Sequence, residues 1–348
     1  MVRSLYSGVS GLKTHQTGMD VIGNNIANVN SPGYKSSRCI FRDIFYQASI
    51  NETGGSAAYA GNNPSTVGYG TQLGSIDKNM SGSNRKQTNK GTDCALNGDG
   101  FFIMATFDTN DETVDATAGT STIPEASMPV DVTYTRLANM EVDSFGNLVC
   151  NNKFVIGTCN TADGLTGETD GSAALKQLGC LGTAAAAGGA GGGAGAAADT
   201  RVTDSSITAK NIINVNKLIQ QAYNEPTLKY EDLQSFKIGQ DGVITVMHNN
   251  KRKCIARIET AVFPNMDGLV EAGSTSFHKS TASGDATVKK VGEEGAPIQM
   301  LTGYLEMSNT NLADEFADMI VTQRGYQANA RIITTSDSML EELVNLKR

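Results

Sequence analysis

Apolar residues return at every seventh position at both ends of the chain. Near the start, Leu5, Leu12, Met19 and Ile26 step by sevens, and Val9, Ile22 and Val29 fill the same stripe. A 3.5-residue repeat is that of a helix laid along another helix. Gly8, Gly11, Gly18 and Gly23 interrupt the segment, each weakening an isolated helix by up to ~1 kcal/mol relative to alanine. This predicts a helix that depends on neighbours to be ordered. Near the end, Leu312, Met319, Tyr326, Ile333 and Leu340 also step by sevens, flanked by Phe316, Ile320, Ala330, Leu343 and Val344. Asn311 with Asp314 reads as an N-cap with an acidic third position, and no proline interrupts residues 311–348. Gln323, Gly325 and Asn329 lie between the apolar positions of this second helix. The two helices are most economically paired with each other, and coiled-coil packing among several chains would cover what remains.

The interior alternates with a period of two. DCALNGDGFFIMATF places Asn97-Gly98 and Asp99-Gly100 between apolar runs, which predicts a hairpin. Further turns are expected at Phe145-Gly146-Asn147, Asp241-Gly242 and Asn249-Asn250. These segments predict an antiparallel β-domain built from residues 72–158 and 232–307. Residues 31–71 are rich in Gly, Ser and Asn and read as a linker region that packs on something, often a neighbouring subunit. Residues 159–231 read as an insert. Its alanine and glycine run, 181–199, has no apolar face and reads as a flexible linker, followed by a short helix ending before Pro226. The fold class is α+β: helical ends at 1–30 and 308–348, an antiparallel β-domain and a small insert.

The chain of 348 residues carries a net charge of -8. Its longest basic cluster, Lys251-Arg252-Lys253, falls in an expected hairpin turn. A nucleic-acid surface needs a basic stripe to neutralise phosphates, so nucleic acid is not an expected partner. The 38 glycines, 6% aromatic content and absence of tryptophan suit short strands better than an aromatic-lined ligand pocket. No apolar run approaches the ~20 residues that span a bilayer. The opening MVRSLYSGVSGLKTHQ lacks the apolar core and cleavage site of a secretory signal. That implies either a cytoplasmic protein or export by machinery that leaves its substrates uncleaved.

Candidate chemistry is sparse. The 6 cysteines (39, 94, 150, 159, 180, 254) form no CxxC pair and read as small, semi-buried apolar residues. His15, His248 and His278 have no metal-ligand spacing, and His15 reads as a helix-surface residue. Ser10-Gly11 does not sit in a nucleophile elbow, and the glycines at 188–195 lack the lysine and hydroxyl of a phosphate loop. Glu293-Glu294 and Glu341-Glu342 read as solvated surface. No catalytic, cofactor or metal site is expected, and neither is an enzyme.

The ends carry a specific pattern. SLYSGVSGLKTHQTGMDVIGNNIANVNSPGYKSSRCIF closely resembles the N-terminal motif of the flagellar axial proteins, the family of rod and hook subunits. GYLEMSNTNLADEFADMIVTQRGYQANARIITTSDSMLEELVNLKR resembles the C-terminal motif of that family. GTDCALNGDGFFIM and AVFPNMDGLVEAGSTSF resemble its β-domain signatures, so the likeness covers residues 1–158 and 232–348. GGSAAYAGNNPSTVGYGTQLGSIDKNM is similar to the hook-type linker. Two features depart from the family: Ala138-Asn139-Met140 stands where relatives commonly carry Gly-x-Phe, and the insert is short for a hook subunit.

The resemblance implies a self-assembling tube with the terminal helices as its inner layer and the β-domains outside. It implies a structural subunit of the hook, a flexible joint between rod and filament, with a distal rod subunit as the alternative. Implied partners are copies of the same chain, the rod, hook-cap and hook–filament junction proteins and the flagellar export apparatus, with no small-molecule substrate. The implied location is the flagellar basal body and hook, reached without a cleaved signal peptide. Some spirochaetal hook subunits are joined covalently through a cysteine and a lysine, and the resemblance leaves such a cross-link open here, with Cys159 or Cys180, in the insert, as its sites. The apolar stripe positions of both helices are the candidate packing residues. Asn24, Asn25, Asn28, Asn30, Pro32 and Gly33 form a candidate assembly joint. Pro32 forbids continuation of the helix, Asn30 and Gly33 suit left-handed turns, and the amides are open to exchange partners between subunits.

Overall fold

The computed structural model describes residues 2–52, 54–55, 60–107, 113–115, 120–122, 129–159, 201–202, 212–223, 225, 228–291 and 298–346. Three α-helices are present among them: α1 (Val2–Ala27), α2 (Val215–Tyr223) and α3 (Leu312–Leu346). The chain forms two units, one of residues 1–81 with 308–348 and one of residues 82–307. The Ala/Gly run 181–199 and Cys180 lie outside the described residues.

The first unit holds α1, α3 and a two-stranded ribbon. α3 starts where its cap predicts: the Asn311 side-chain oxygen accepts from the Ala313 amide at 3.2 Å, and its backbone oxygen accepts from Glu315 at 3.0 Å. α1 and α3 pack against each other and run antiparallel, with Gly8 beside Ile333, Gly18 beside Thr322 and Asn25 bonded to Glu315. Residues 31–71, expected as a linker, carry three strands and the start of a fourth: β1 (Ser37–Asp43), β2 (Tyr46–Ile50), β3 (Ser65–Gly68) and β4 (Thr71–Lys78). β1 pairs antiparallel with β4 from Ser37–Lys78 to Asp43–Thr71, and β2 pairs with β3 beyond them. Low local propensity yields here to pairing and to a support. Gly70, at φ +116°, lets the ribbon meet α1 so closely that a Cβ there would strike Ser10, and Thr71 Oγ1 lies 3.1 Å from Thr14 Oγ1.

The second unit is an antiparallel β-structure. Phe101–Thr106 is central to its large sheet, pairing with Asp131–Thr135, with Lys153–Val155 and with Lys251–Val262. A smaller sheet orders Ala138–Asn139, Asp93–Asn97 and Gln299–Thr302. The Asn97-to-Gly100 turn is therefore not a hairpin. Asp93–Asn97 and Phe101–Thr106 are nearly continuous buried runs that join different sheets, so the turn hands the chain from one layer to the other. The other three expected turns do join paired strands, with Gly146 at φ +83°, Gly242 at +73° and Asn249 and Asn250 at +50° and +61°. A fourth, at Asn151-Asn152, also has both residues left-handed. The helix expected before Pro226 is α2. Asn214 caps it by accepting from the Lys217 amide at 2.9 Å, and Val215, Leu218 and Ile219 bury into the core.

The two units differ in how they hold together. Every described buried apolar residue except Met80 lies between Cys94 and Met300, in the second unit. Charge is buried there as well. Arg136, 1% exposed, sits 3.6 Å from Glu306 and 5.3 Å over the Phe101 ring, while Ser83 donates to Glu306 from its amide and hydroxyl. The first unit has almost no apolar interior of its own.

Candidate assembly surface on the terminal helices

The helix seam is built from small and polar residues. On α1 the buried positions are Gly8, Gly11, Thr14, Gly18 and Asn25, and on α3 the buried position is Ser336. A Cβ at Gly11 would stand 2.5 Å from Asn329 Nδ2, and one at Gly325 would stand 2.7 Å from His15 Cε1. Gly8 faces Ile333 in the same way, and Gly18 faces both Thr322 and Phe41. These glycines let the two backbones approach closely. The reading that they only weaken the helix missed this role. The available signal was that 8, 11, 18 and 25 themselves share one helix face. His15, read as a surface residue, is half-buried between Gly325 and the Phe41 ring, whose centroid lies 6.0 Å away.

The apolar stripe residues flank this seam. Leu5, Leu12, Met19, Ile22, Ile26, Met319, Ile333 and Leu340 are half-buried, while Val9, Leu312, Phe316 and Tyr326 are exposed. Exposed with them on α3 are Ile320, Val321, Ile332, Met339, Leu343, Val344 and Leu346, and on the ribbon Ile40, Phe41, Phe45, Tyr46, Ile50, Val67, Leu73 and Ile76. Of the exposed large apolar side chains described, only Val130, Phe145 and Val270 belong to the second unit. Apolar exposure concentrated in one unit in this way marks a binding face.

The asparagine stretch is more tightly tied than its sequence suggests. Asn25, 1% exposed, donates to Ser37 O at 2.7 Å and to Glu315 Oε1 at 2.9 Å, and accepts from the Ser37 amide and Tyr34 hydroxyl, each at 3.0 Å. Its amide is fully used within the chain, so it is not open to exchange partners. Asn24 donates to Tyr34 Oη, and Asn28 donates to both Asn24 oxygens. Asn30 is exposed, and Pro32 and Gly33 complete the turn. Gly33 takes a left-handed φ of +73°, but Asn30 is not among the left-handed residues. Asn309 fastens the returning chain, accepting from the Ser36 amide at 2.8 Å and donating to Asn79 O at 2.7 Å. Burial raises the Glu315 carboxyl above its ordinary range; Asn25's hydrogen bond opposes this, and Asp318 and Asp314 add to it.

No described group of three or more His, Cys, Asp or Glu could hold a metal ion. Burial pushes the Cys94 and Cys150 thiols up to about 12, so both behave as small apolar residues. His278 lies 3.2 Å from Asp131 and His248 lies 3.6 Å from Glu225, at separate places in the second unit. The glycine run 188–195 and Glu293-Glu294 lie outside the described residues.

Comparison with known proteins follows the same two helices. Residues 5–35 match the family described as flagella basal body rod protein, and residues 301–346 match flagellar basal body rod FlgEFG protein C-terminal. Over 349 aligned positions the chain is 34% identical to the flagellar basal-body rod protein FlgG of Bacillus subtilis, covering 100% of both chains. It is 30% identical over 447 positions to the flagellar hook protein FlgE of Borreliella burgdorferi, again covering 100% of both. The hook protein FlgE of Treponema pallidum is similar at 31% identity, with the same full coverage.

Proposed function

As the chain belongs to the family of flagellar basal-body rod and hook proteins, structural proteins and not enzymes, we propose that it is a hook subunit that polymerises with copies of itself into a tube. One observation carries the assembly reading. The unit formed by the chain ends fully buries almost no apolar side chain and leaves many exposed, so burial of α1, α3 and the ribbon awaits neighbouring subunits. The hook in particular is supported by the 30% and 31% identity to the FlgE hook proteins of Borreliella burgdorferi and Treponema pallidum. In this reading the rod, the hook cap and the hook–filament junction proteins are its neighbours along the axis, and the flagellar export apparatus delivers it.

A second reading, the distal rod, is favoured by the 34% identity to FlgG and by an alignment of 349 positions, almost the length of this chain. Deletion of the gene separates the two. Electron microscopy of isolated basal bodies is expected to show complete rods without hooks. Rods that stop short of their distal segment would assign the chain to the rod instead.

A further inference from the structure

We propose that Asn329 and His15 are reciprocal knobs, seated in glycine notches on the opposite helix, that set the antiparallel register of the chain's two ends. This concerns the fold of the helical unit itself and stands whichever axial segment the chain builds. The geometry pairs them crosswise. Asn329 on α3 fills the space in front of Gly11 on α1, with its Nδ2, Cγ and Oδ1 at 2.5, 2.9 and 3.1 Å from where a Cβ would be. His15 on α1 fills the space in front of Gly325 on α3, with Cε1, Nε2 and Nδ1 at 2.7, 2.8 and 3.2 Å. Gly11 and His15 are one turn apart, and so are Gly325 and Asn329, so each helix offers one notch and one knob at the same spacing. An antiparallel pair brings both sets together in one alignment only.

The apolar part of the seam would not supply this choice. Its half-buried apolar residues repeat by sevens, and a slip of one heptad restores the same apolar pattern. In α1 a heptad slip places Gly18 or Ser4 where Gly11 stands, and in α3 it replaces Asn329 with Thr322 or Ser336. The side chain in front of the notch then changes in size and polarity. A polar residue at a seam position commonly specifies register in paired helices. Here the device joins segments from opposite ends of the chain, which local contacts cannot align.

The test is a rescue matrix in the full-length chain. Alanine is the better helix former, so Gly11→Ala and Gly325→Ala would strengthen either helix if the notches were empty. Each is expected instead to reduce swimming and polymer yield at least tenfold. Asn329→Gly is expected to restore the Gly11→Ala chain but not the Gly325→Ala chain, and His15→Ala the reverse. Wild-type assembly by both alanine variants, or rescue without this pairing, would overturn the proposal. Register is read separately from assembly by oxidation of Gly18→Cys/Thr322→Cys chains in purified polymer, with the bond assigned by mass spectrometry. This pair is expected to close, and Gly18→Cys/Glu315→Cys, one heptad out with both knobs and both notches kept, is not. Equal closure of both pairs would also refute it.

Discussion

Asn25 and Glu315, 290 positions apart in the chain, are joined by a 2.9 Å hydrogen bond at one end of the helix pair. The same asparagine holds Ser37 and Tyr34, so one buried amide ties α1, the start of the ribbon and the first turn of α3. Asn25→Ala removes an amide that serves all three. Leaving buried polar groups unpaired costs about 1–3 kcal/mol each, so a loss of roughly 2–4 kcal/mol in the helical unit is expected. Hydrogen exchange of full-length polymer is the measurement: faster exchange in both α1 and the first turn of α3 is the expected result. Unchanged protection would mean the amide is not a tie.

Glu315 gives that junction a pH dependence whose sign can be worked out. Its folded pKa is raised, chiefly by burial, so the folded unit favours the protonated acid. The stabilisation is fully present below the unfolded pKa and is lost as pH rises through the raised value. Glu315→Gln keeps an oxygen for Asn25 and stays neutral. The variant polymer is expected to dissociate at a higher temperature than the parent at pH 7, with the difference shrinking to nothing near pH 4. A difference that grows on acidification would contradict this.

Phe316 and Ile320 are 50% and 58% exposed on α3. Replacing both with serine is expected to leave the urea midpoint of the dissolved chain within experimental error, because neither is buried in the subunit. Polymerisation should suffer: full burial of such a side chain contributes about 1.5–3 kcal/mol, and roughly half of that is still to be gained at each, so the double change raises the critical concentration about tenfold or more. Sedimentation of polymer against total protein measures it.

Arg136 tests the other unit. Arg136→Met leaves the Glu306 carboxylate, 2% exposed, without its guanidinium 3.6 Å away. Breaking a buried pair costs roughly 3–5 kcal/mol, and neutralising Glu306 as well recovers part of it. Urea unfolding is expected to show a large drop for Arg136→Met and a smaller one for Arg136→Met/Glu306→Gln. Equal drops would mean that the charge is not what the site answers to.

Comparison of the two helices with the β-unit shows what a linear pattern carries. Heptads at 5–26 and 312–340 located α1 and α3 because a helix face repeats locally. What lies in the seam is a tertiary fact: Gly11 and Gly325 are notches only because Asn329 and His15 arrive opposite them. The turn at 97–100 shows the same limit. Asn-Gly and Asp-Gly encode a reversal but not the strand that each flanking run will join, and Gln299–Thr302 comes from 200 positions away to take Asp93–Asn97. The ribbon of 37–78 escaped notice because its strands are stabilised by each other and by α1. Asn25 looked mobile in a run of amides, and only the arrival of Ser37 and Glu315 makes it fixed.

Residues 82–307 begin and end side by side. Arg85–Gln87 pairs antiparallel with Tyr304–Glu306, the Met307 amide donates to Asn84 O at 2.9 Å, and the Ser83 hydroxyl reaches Met307 O. The chain therefore leaves this unit where it came in, as a cassette spliced into a helical frame. Sequence can be added to or taken from the cassette without moving that doorway. The alignments to the Borreliella and Treponema hook proteins run to 447 and 464 positions, well past the 348 residues here, while the matched family segments stay at the two ends. Size can vary in the middle of such a chain while its ends stay under a different and stricter constraint.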